Sequence, residues 1–155
     1  MAVTKATPEN PLALEHQVCF ALAVAARTVI ALYRPVLEPM GLTHPQYLVM
    51  LALWESEPVS VKDLSGMLQL EPATLSPLLK RLEAAGLVHR ERSATDERSL
   101  AVTLTDKGRE LRNQALDVPP AIVKRLGMNV DELTDLHARL TTVITAATTE
   151  APAGN

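Results

Sequence analysis

The stretch from residue 71 to residue 108, EPATLSPLLKRLEAAGLVHRERSATDERSLAVTLTDKG, predicts a helix that is followed at once by a β-hairpin. Pro72 suits the first turn of a helix, and Gly86 is typical of a helix end. Residues 87–91 and 99–105 have the composition of strands, and the second alternates apolar and polar side chains with a period of two. A hairpin in this position is a wing, so the stretch predicts a helix with a wing behind it.

A second helix is predicted immediately before this stretch. Ser60 and Asp63 have the spacing of a capping box, which opens a short helix rich in apolar residues. Two helices joined by a short turn form a helix-turn-helix. Thr43 and Pro45 predict the start of a further helix that packs on this pair. The predicted fold class is mainly α (α+β), a winged helix-turn-helix over residues 43–105.

The N-terminal segment predicts a long helix that one chain cannot cover. Asn10-Pro11 is typical of a helix start, and residues 12–33 are apolar on nearly every side. A helix of this kind must be buried. Because a chain of this size has little else to wrap it, we expect the helix to pack against a second copy in a homodimer.

The C-terminal third predicts two more helices. Thr105 caps the first, Pro119-Pro120 interrupts it, and Asn129 caps the second, which runs to about residue 148. The terminal helices are expected to form a dimerisation lobe. The predicted organisation is a disordered tail at 1–10, a single domain at 11–148 with dimerisation helices at 11–40 and 106–148, and a second tail at 149–155.

Composition limits the classes of protein to which the chain can belong. Its 155 residues suit one domain, and a net charge of -3 argues against coating nucleic acid through bulk charge. The N-terminus lacks the apolar core of a signal peptide, and no uncharged apolar run of about 18 residues occurs. We therefore expect a cytoplasmic protein with no membrane partner. Cys19 is the single cysteine, which excludes an intrachain disulfide.

Polar residues on the second helix of the motif and on the wing are candidates for DNA binding. Such side chains reach base edges and phosphates in the major groove, and a guanidinium on a wing reaches the minor groove, where Asp96 can hold Arg98 extended. The alternative is a set of ordinary solvent-facing residues and a surface ion pair of little consequence. The candidate DNA-binding residues are Thr74, Ser76, Lys80, Arg81, Arg90, Arg92, Asp96 and Arg98.

Residues 64–108 resemble the MarR family of repressors. The resemblance rests on the recognition-helix segment at 73–88, on Asp96-Glu97-Arg98-Ser99, and on the Leu-Thr-x-x-Gly pattern at 104–108. It implies a dimer whose terminal helices interlock, with one recognition helix and one wing per subunit. It also implies double-stranded DNA as the partner, in the form of a pseudo-palindromic operator.

Several short segments further resemble the organic hydroperoxide-sensing (OhrR) branch of that family. They are Cys19-Phe20, Tyr33-Arg34-Pro35, Glu38-Pro39, Pro45-Gln46-Tyr47 and Leu53-Trp54-Glu55. The resemblance implies that an organic hydroperoxide oxidises Cys19 to a sulfenic acid, which releases the operator, and that Phe20, Tyr33 and Tyr47 line the sensor pocket. His44 stands where this branch usually has tyrosine. It replaces the missing phenol as a donor, favours the thiolate through its charge when protonated, or lies in solvent.

Helix geometry separates Cys19 from Tyr33. Fourteen residues on one helix rise about 21 Å, so the two side chains cannot touch within one chain, although both fall near one face. An antiparallel partner helix would bring them together at the subunit interface. Since the chain has no second cysteine, an oxidised Cys19 pairs with a low-molecular-weight thiol or proceeds to irreversible acids.

Two other functions remain open from the sequence. One is a MarR-type repressor that binds a non-covalent apolar or phenolic ligand between its lobes, with Cys19 as packing. The other is a small thiol peroxidase, against which the wing and recognition helix argue. His16 and Cys19 have a helical spacing that suits zinc together with Glu15 or His44 from a partner subunit, but two such ligands are a weak signal. No catalytic set or cofactor motif occurs, so we expect no enzyme, no cofactor and no metal.

Overall fold

The computed structural model describes residues 10–92 and 100–150. The chain divides into two compact units, with the boundary in the sequence between Leu116 and Asp117. The described part of the chain is mainly helical with one small sheet, which confirms the predicted fold class. The first unit contains α1 (Val18–Leu37), α2 (His44–Ser56), β1 (Val59–Ser60), α3 (Val61–Leu68), α4 (Pro72–Ala84), β2 (Val88–Arg92), β3 (Leu100–Leu104) and α5 (Asp106–Ala115). The second unit contains α6 (Val118–Leu126) and α7 (Val130–Glu150).

Helix α1 begins later and ends later than its pattern predicts. Leu14–His16 forms a single 3-10 turn, and Gln17 has an extended ψ of 115°, so the α-helix starts only at Val18. The Gln17 side chain folds back and donates to the carbonyls of Pro11 and Ala13, which satisfies the turn without a continuous helix. At the other end Pro35 lies inside the helix. Loss of its N–H near the C-terminus removes one bond and does not end the helix there.

The surface of α1 is apolar and largely uncovered within this chain. Val18, Phe20 and Ile30 are exposed, and Leu37 is the one buried residue of the helix. By length and composition the segment Val18–Met40 also resembles a membrane-spanning helix. Arg27 and Arg34 interrupt it, and a helix buried between subunits has the same composition, so this resemblance is weak evidence for a membrane.

The capping residues predicted for α2 and α3 are confirmed. The Thr43 hydroxyl accepts from the Gln46 N–H, and the Gln46 side chain accepts from the Thr43 N–H, which completes a capping box at α2. The Ser60 hydroxyl accepts from the Asp63 N–H at 3.0 Å at the start of α3. Between α3 and α4 the chain turns at Gln69, whose φ of 52° places it in the left-handed region.

The three strands form an antiparallel sheet in the order β1-β3-β2. The hairpin of β2 and β3 pairs Val88 with Leu104 and Arg92 with Leu100, which confirms the predicted wing strands. The two-residue strand β1 was not predicted. It is too short to show a period of two, and it pairs Val59 with Val102 from a distant part of the sequence.

One aliphatic core holds the first unit together. It brings the buried faces of α2, α3 and α4 against the inner face of the sheet, so α4 is fixed to the wing through shared packing. Its fully buried side chains are Leu37, Val49, Met50, Leu53, Leu64, Leu75, Leu79, Leu82, Val88 and Val102.

The second unit corrects the prediction for Pro119-Pro120. The two prolines do not interrupt a helix but lie in the first turn of α6, where their missing N–H groups have no intrahelical partner to lose. Gly127 ends α6 with a φ of 65°. Asn129 and Glu132 then exchange hydrogen bonds of 2.9 and 2.8 Å in a capping box, which confirms the predicted start of α7.

Candidate functional site

Helix α4 presents a polar face opposite its buried leucines. Thr74, Lys80 and Arg81 are exposed and Ser76 is half-buried, because the leucines of this helix occupy the positions that face the core. Four of the predicted DNA-binding side chains therefore share one accessible surface. The helix is also the second of the helix-turn-helix, in the position that enters a major groove in proteins of this fold.

The wing carries two of its predicted arginines inside the described residues. Arg92 is exposed at the end of β2. Asp96 and Arg98, predicted to act as a pair at the wing tip, lie outside the residues that the structure describes. Their role stays a prediction.

Arg90 is engaged within the protein. Its guanidinium forms two bonds to the carboxylate of Glu83 on α4, from Nε at 3.4 Å and from Nη2 at 3.2 Å, and its backbone N–H donates to the same carboxylate at 3.2 Å. The hydrogen bond from Arg90 lowers the pKa of Glu83 below its usual value. This pair could not be predicted from the sequence, because its members lie seven residues apart, one in a helix and the other in a strand.

A joint between the wing and α4 was also missed from the sequence. The Thr105 hydroxyl donates to the Gly86 carbonyl at 2.6 Å, and the Lys107 ammonium donates to the Ala85 carbonyl at 2.9 Å. Gly108 lies so close to the chain that an added Cβ would clash with the Leu87 carbonyl oxygen. The Leu-Thr-x-x-Gly pattern is thus the sequence signal of a fixed contact between the wing and the end of α4.

Glu57 at the end of α2 binds both β3 and α5. Its carboxylate accepts from the Leu104 N–H at 2.6 Å and from the Arg109 Nε at 2.8 Å. Burial alone raises the pKa of this carboxyl, but the bond from Leu104 and the bond and charge of Arg109 outweigh it and lower the pKa. Glu57 therefore stays ionised near neutral pH and ties the end of α2 to β3 and α5.

Tyr33, His44 and Tyr47 form an aromatic cluster, which we call the sensor cluster because all three were predicted to line a sensor pocket. The ring centroids of Tyr33 and His44 lie 4.7 Å apart with an edge-on geometry, and those of Tyr33 and Tyr47 lie 5.9 Å apart. Burial raises the pKa of Tyr33, burial and the neighbouring Tyr33 raise that of Tyr47, and burial lowers the pKa of His44. Near neutral pH the cluster holds two protonated phenols and a neutral imidazole.

Cys19 is an exposed residue of the first turn of α1, and Phe20 beside it is also exposed. Tyr33 lies near the other end of the same α-helix, so the thiol cannot reach the sensor cluster of its own chain. The structure thus brings together three of the predicted sensor residues and leaves Cys19 and Phe20 apart from them.

A cavity of about 540 Å³ opens beside the sensor cluster. Its walls come from the second half of α1, the turn that follows it and the start of α2, and His44 borders both the cavity and Tyr33. Two arginines, Arg27 and Arg34, lie among otherwise largely apolar lining groups. The full lining is Arg27, Ile30, Ala31, Arg34, Glu38, Gly41, Leu42, Thr43, His44 and Pro45.

Within one chain, the residues near the N-terminus that were considered for zinc do not form a ligand set. His16 lies 3.8 Å from Glu15, and within residues 10–92 and 100–150 no three histidine, cysteine or carboxylate side chains gather where they could hold a metal ion.

Comparison with known proteins places these features in a family. Residues 31–115 match the family model described as transcriptional regulator SarA/Rot. The chain is 43% identical to the HTH-type transcriptional regulator TtmR of Methylorubrum extorquens, over 95% of this chain and 78% of that protein. It is 40% identical to the organic hydroperoxide resistance transcriptional regulator of Bacillus subtilis, over 84% of this chain and 89% of that protein.

A solved structure supports the same relationship. The structure of reduced AbfR bound to DNA superimposes with a TM-score of 0.72 at 35% identity, over 87% of this chain and 94% of that one. The winged helix, the polar face of α4 and these relatives agree. The chain therefore belongs to the MarR family of DNA-binding transcriptional regulators, with the organic hydroperoxide regulator of B. subtilis among its relatives.

Proposed function

We propose that the protein is a homodimeric repressor that releases its operator when an organic hydroperoxide oxidises Cys19. The observation that carries this proposal is the sensor cluster, in which two phenols and an imidazole meet beside a cavity. Such a cluster offers hydrogen-bond donors to a thiolate. The relationship to the B. subtilis regulator supports the choice of hydroperoxide as the inducer.

The proposed chemistry needs the thiol as a thiolate. Its sulfur attacks the terminal oxygen of the hydroperoxide, so that an S–O bond forms and the O–O bond breaks. The sulfur is oxidised to a sulfenic acid by two electrons, and the alkoxide leaves and takes up a proton as an alcohol. Neutral donors such as Tyr33 and Tyr47 stabilise the negative sulfur without adding a charge of their own.

A second copy of the chain is proposed to bring Cys19 close to a sensor cluster, which the thiol cannot reach within its own chain. The exposed apolar faces of α1 and α7 are the surfaces proposed for dimerisation. In an antiparallel arrangement of two α1 helices, Cys19 of one subunit approaches the sensor cluster of the other. A modified thiol at that interface would change the spacing of the two α4 helices on a pseudo-palindromic operator.

The DNA-binding surface is proposed to consist of the exposed face of α4 and the wing, with Asp96 and Arg98 at its tip. The cell compartment that fits this role is the cytoplasm, where a low-molecular-weight thiol is available to reduce or cap the sulfenic acid.

A second candidate function rests on the cavity beside α1. A volume of about 540 Å³ with mostly apolar walls suits a small organic ligand. In this alternative a non-covalent apolar or phenolic effector releases the operator and Cys19 is a packing residue.

The variant Cys19→Ser tests the proposal. It removes the only sulfur able to form a sulfenic acid and changes the side-chain volume little, so binding to DNA from upstream of the gene should be retained. Release by an organic hydroperoxide should be lost. The matched control is Val18→Ser, at the neighbouring exposed position, which keeps the thiol and should keep the response.

Gel-shift titrations with and without hydroperoxide, followed by a thiol reductant, measure both properties. If Cys19→Ser still releases DNA at the hydroperoxide concentration that acts on the parent, the thiol is not the sensor and the effector-binding alternative is favoured.

A further inference from the structure

The pair of Glu83 and Arg90 lies at the edge of the DNA-binding surface. Glu83 is in the last turn of α4, and Arg90 is in the middle of β2, the edge strand of the sheet. The Arg90 side chain is 21% exposed and that of Glu83 is 40% exposed, so both groups border solvent. Arg90 is therefore a cation placed where it could face a phosphate, yet it is paired with a carboxylate of its own chain.

The carboxylate is held in place by more than the guanidinium. The Arg90 backbone N–H donates to Glu83 Oε2, the same oxygen that accepts from the guanidinium Nε, while Nη2 binds Oε1. This amide anchors the carboxylate independently of the Arg90 side chain. The carboxylate of Glu83 is therefore held in place and forms two hydrogen bonds to the guanidinium of Arg90. A DNA phosphate must displace this carboxylate before it can bind the guanidinium.

We infer that Glu83 is a specificity-determining residue that withholds Arg90 from DNA phosphates. Contacts to phosphates form with DNA of any sequence. An additional free guanidinium would therefore raise the affinity for all DNA without distinguishing one base sequence from another. Glu83 neutralises this cation and so reduces the contribution of phosphate contacts to the affinity for DNA. Side chains that reach base edges then contribute a larger fraction of that affinity. The overall charge of -3 agrees with a protein that does not bind DNA through bulk charge.

The variant Glu83→Gln tests this inference on a duplex of random sequence with the reduced, full-length protein. Loss of the carboxylate charge should free Arg90 for a phosphate. The plot of log Kd against log salt should steepen by about 0.9 for each arginine engaged, and the affinity for the random duplex should rise roughly three- to tenfold near physiological salt.

Glu91→Gln is the matched control. This substitution removes the same charge as Glu83→Gln, and Glu91 is exposed. Because Glu91 lies next to Arg90 on the strand, its side chain points to the opposite face of the sheet. It should produce a smaller gain in affinity and no steeper salt dependence. The double variant Glu83→Gln with Arg90→Gln should lose the gain, because the released guanidinium is gone.

Arg90→Gln alone gives a second, independent measurement. If Arg90 is already withheld in the parent, this variant leaves the salt dependence on the random duplex unchanged. A salt slope that falls by about 0.9 in Arg90→Gln would show that Arg90 contacts phosphate in the parent and would overturn the inference. The inference would also be overturned if the salt dependence of Glu83→Gln equalled that of Glu91→Gln. A gain in affinity for the random duplex that persists in the double variant would overturn it too. Thermal unfolding of each variant separates these outcomes from a change in stability.

Discussion

His44 is a half-buried imidazole whose environment favours its neutral form. Its ring meets Tyr33 edge-on, and burial lowers its pKa. Near neutral pH it can therefore act on the proposed sensor pocket as a hydrogen-bonding group and not as a cation. This supports the interpretation in which His44 takes the place of a phenol, and it argues against attraction of the thiolate by a protonated ring.

The lowered pKa predicts how stability depends on pH. Below the unfolded-state value near 6.5 the unfolded chain binds a proton at His44 more readily than the folded chain, so the free energy of unfolding falls as the pH falls. In His44→Gln this loss should be smaller between about pH 7 and about pH 5. Urea unfolding at a series of pH values measures the difference.

His137→Gln is the control for that measurement, because His137 is exposed on α7. It should keep the pH dependence of the parent. An identical loss of stability on acidification in His44→Gln and in the parent would contradict the burial of the imidazole.

At the scale of elements, the contact between α5 and the end of α4 allows no side chain at Gly108. We expect Gly108→Ala to destabilise the protein by about 2 kcal/mol, since a Cβ there meets a backbone carbonyl that cannot rotate away. Operator affinity should fall with it, because the wing and α4 would no longer keep their relative positions. Chemical unfolding and a DNA titration measure the two effects.

Gly66→Ala provides the contrast within the same unit. Gly66 lies in α3, and an added Cβ there meets nothing within 4 Å. Alanine favours the helix, so this variant should be as stable as the parent or more stable by up to about 1 kcal/mol. Equal destabilisation by both substitutions would show that the close approach at Gly108 is not the cause.

Helix starts were the elements best predicted from sequence. Thr43, Ser60, Thr105 and Asn129 each cap the helix that their pattern indicated, because a capping bond is local and needs only the next three residues. The start of α1 and the role of Pro119-Pro120 were predicted wrongly. A proline signals both a helix start and a helix end, and sequence alone does not decide between them.

The sequence predicted individual residues of the candidate site but not the hydrogen bonds and ion pairs that join them. The polar face of α4 follows from the period of its leucines, and the sensor cluster followed from the family resemblance. The bonds of Arg90 to Glu83 and of Glu57 to Leu104 join segments that come together only in the folded chain. Neither pair has a regular spacing that sequence analysis could have recognised.

At the scale of the whole molecule, the two long terminal helices have apolar surfaces that one chain does not bury. On α7 the apolar residues follow a spacing of alternately three and four positions, and none of its side chains is buried. That spacing suits packing against another helix. The stripe consists of Leu133, Leu136, Leu140, Val143 and Ala147.

Val143→Glu should weaken the proposed dimer. Val143 is 45% exposed, so a carboxylate there is tolerated by the single chain but would be desolvated against an apolar partner. Light scattering after size-exclusion chromatography should show monomer at concentrations where the parent is dimeric, with unchanged helical content by circular dichroism. Thr142→Glu, one position off the stripe, should remain dimeric. A dimeric Val143→Glu would show that this face of α7 is not an interface.

The joint behind the wing has a consequence for how operator preference can diverge. Its acceptors at Ala85, Gly86 and Leu87 are main-chain carbonyls, which every amino acid possesses. The scaffold thus imposes no identity on the outward residues Thr74 and Lys80, which make no hydrogen bond to the joint. We therefore expect substitutions at Thr74 and Lys80 to change which operator is bound while the angle between helix and hairpin is kept.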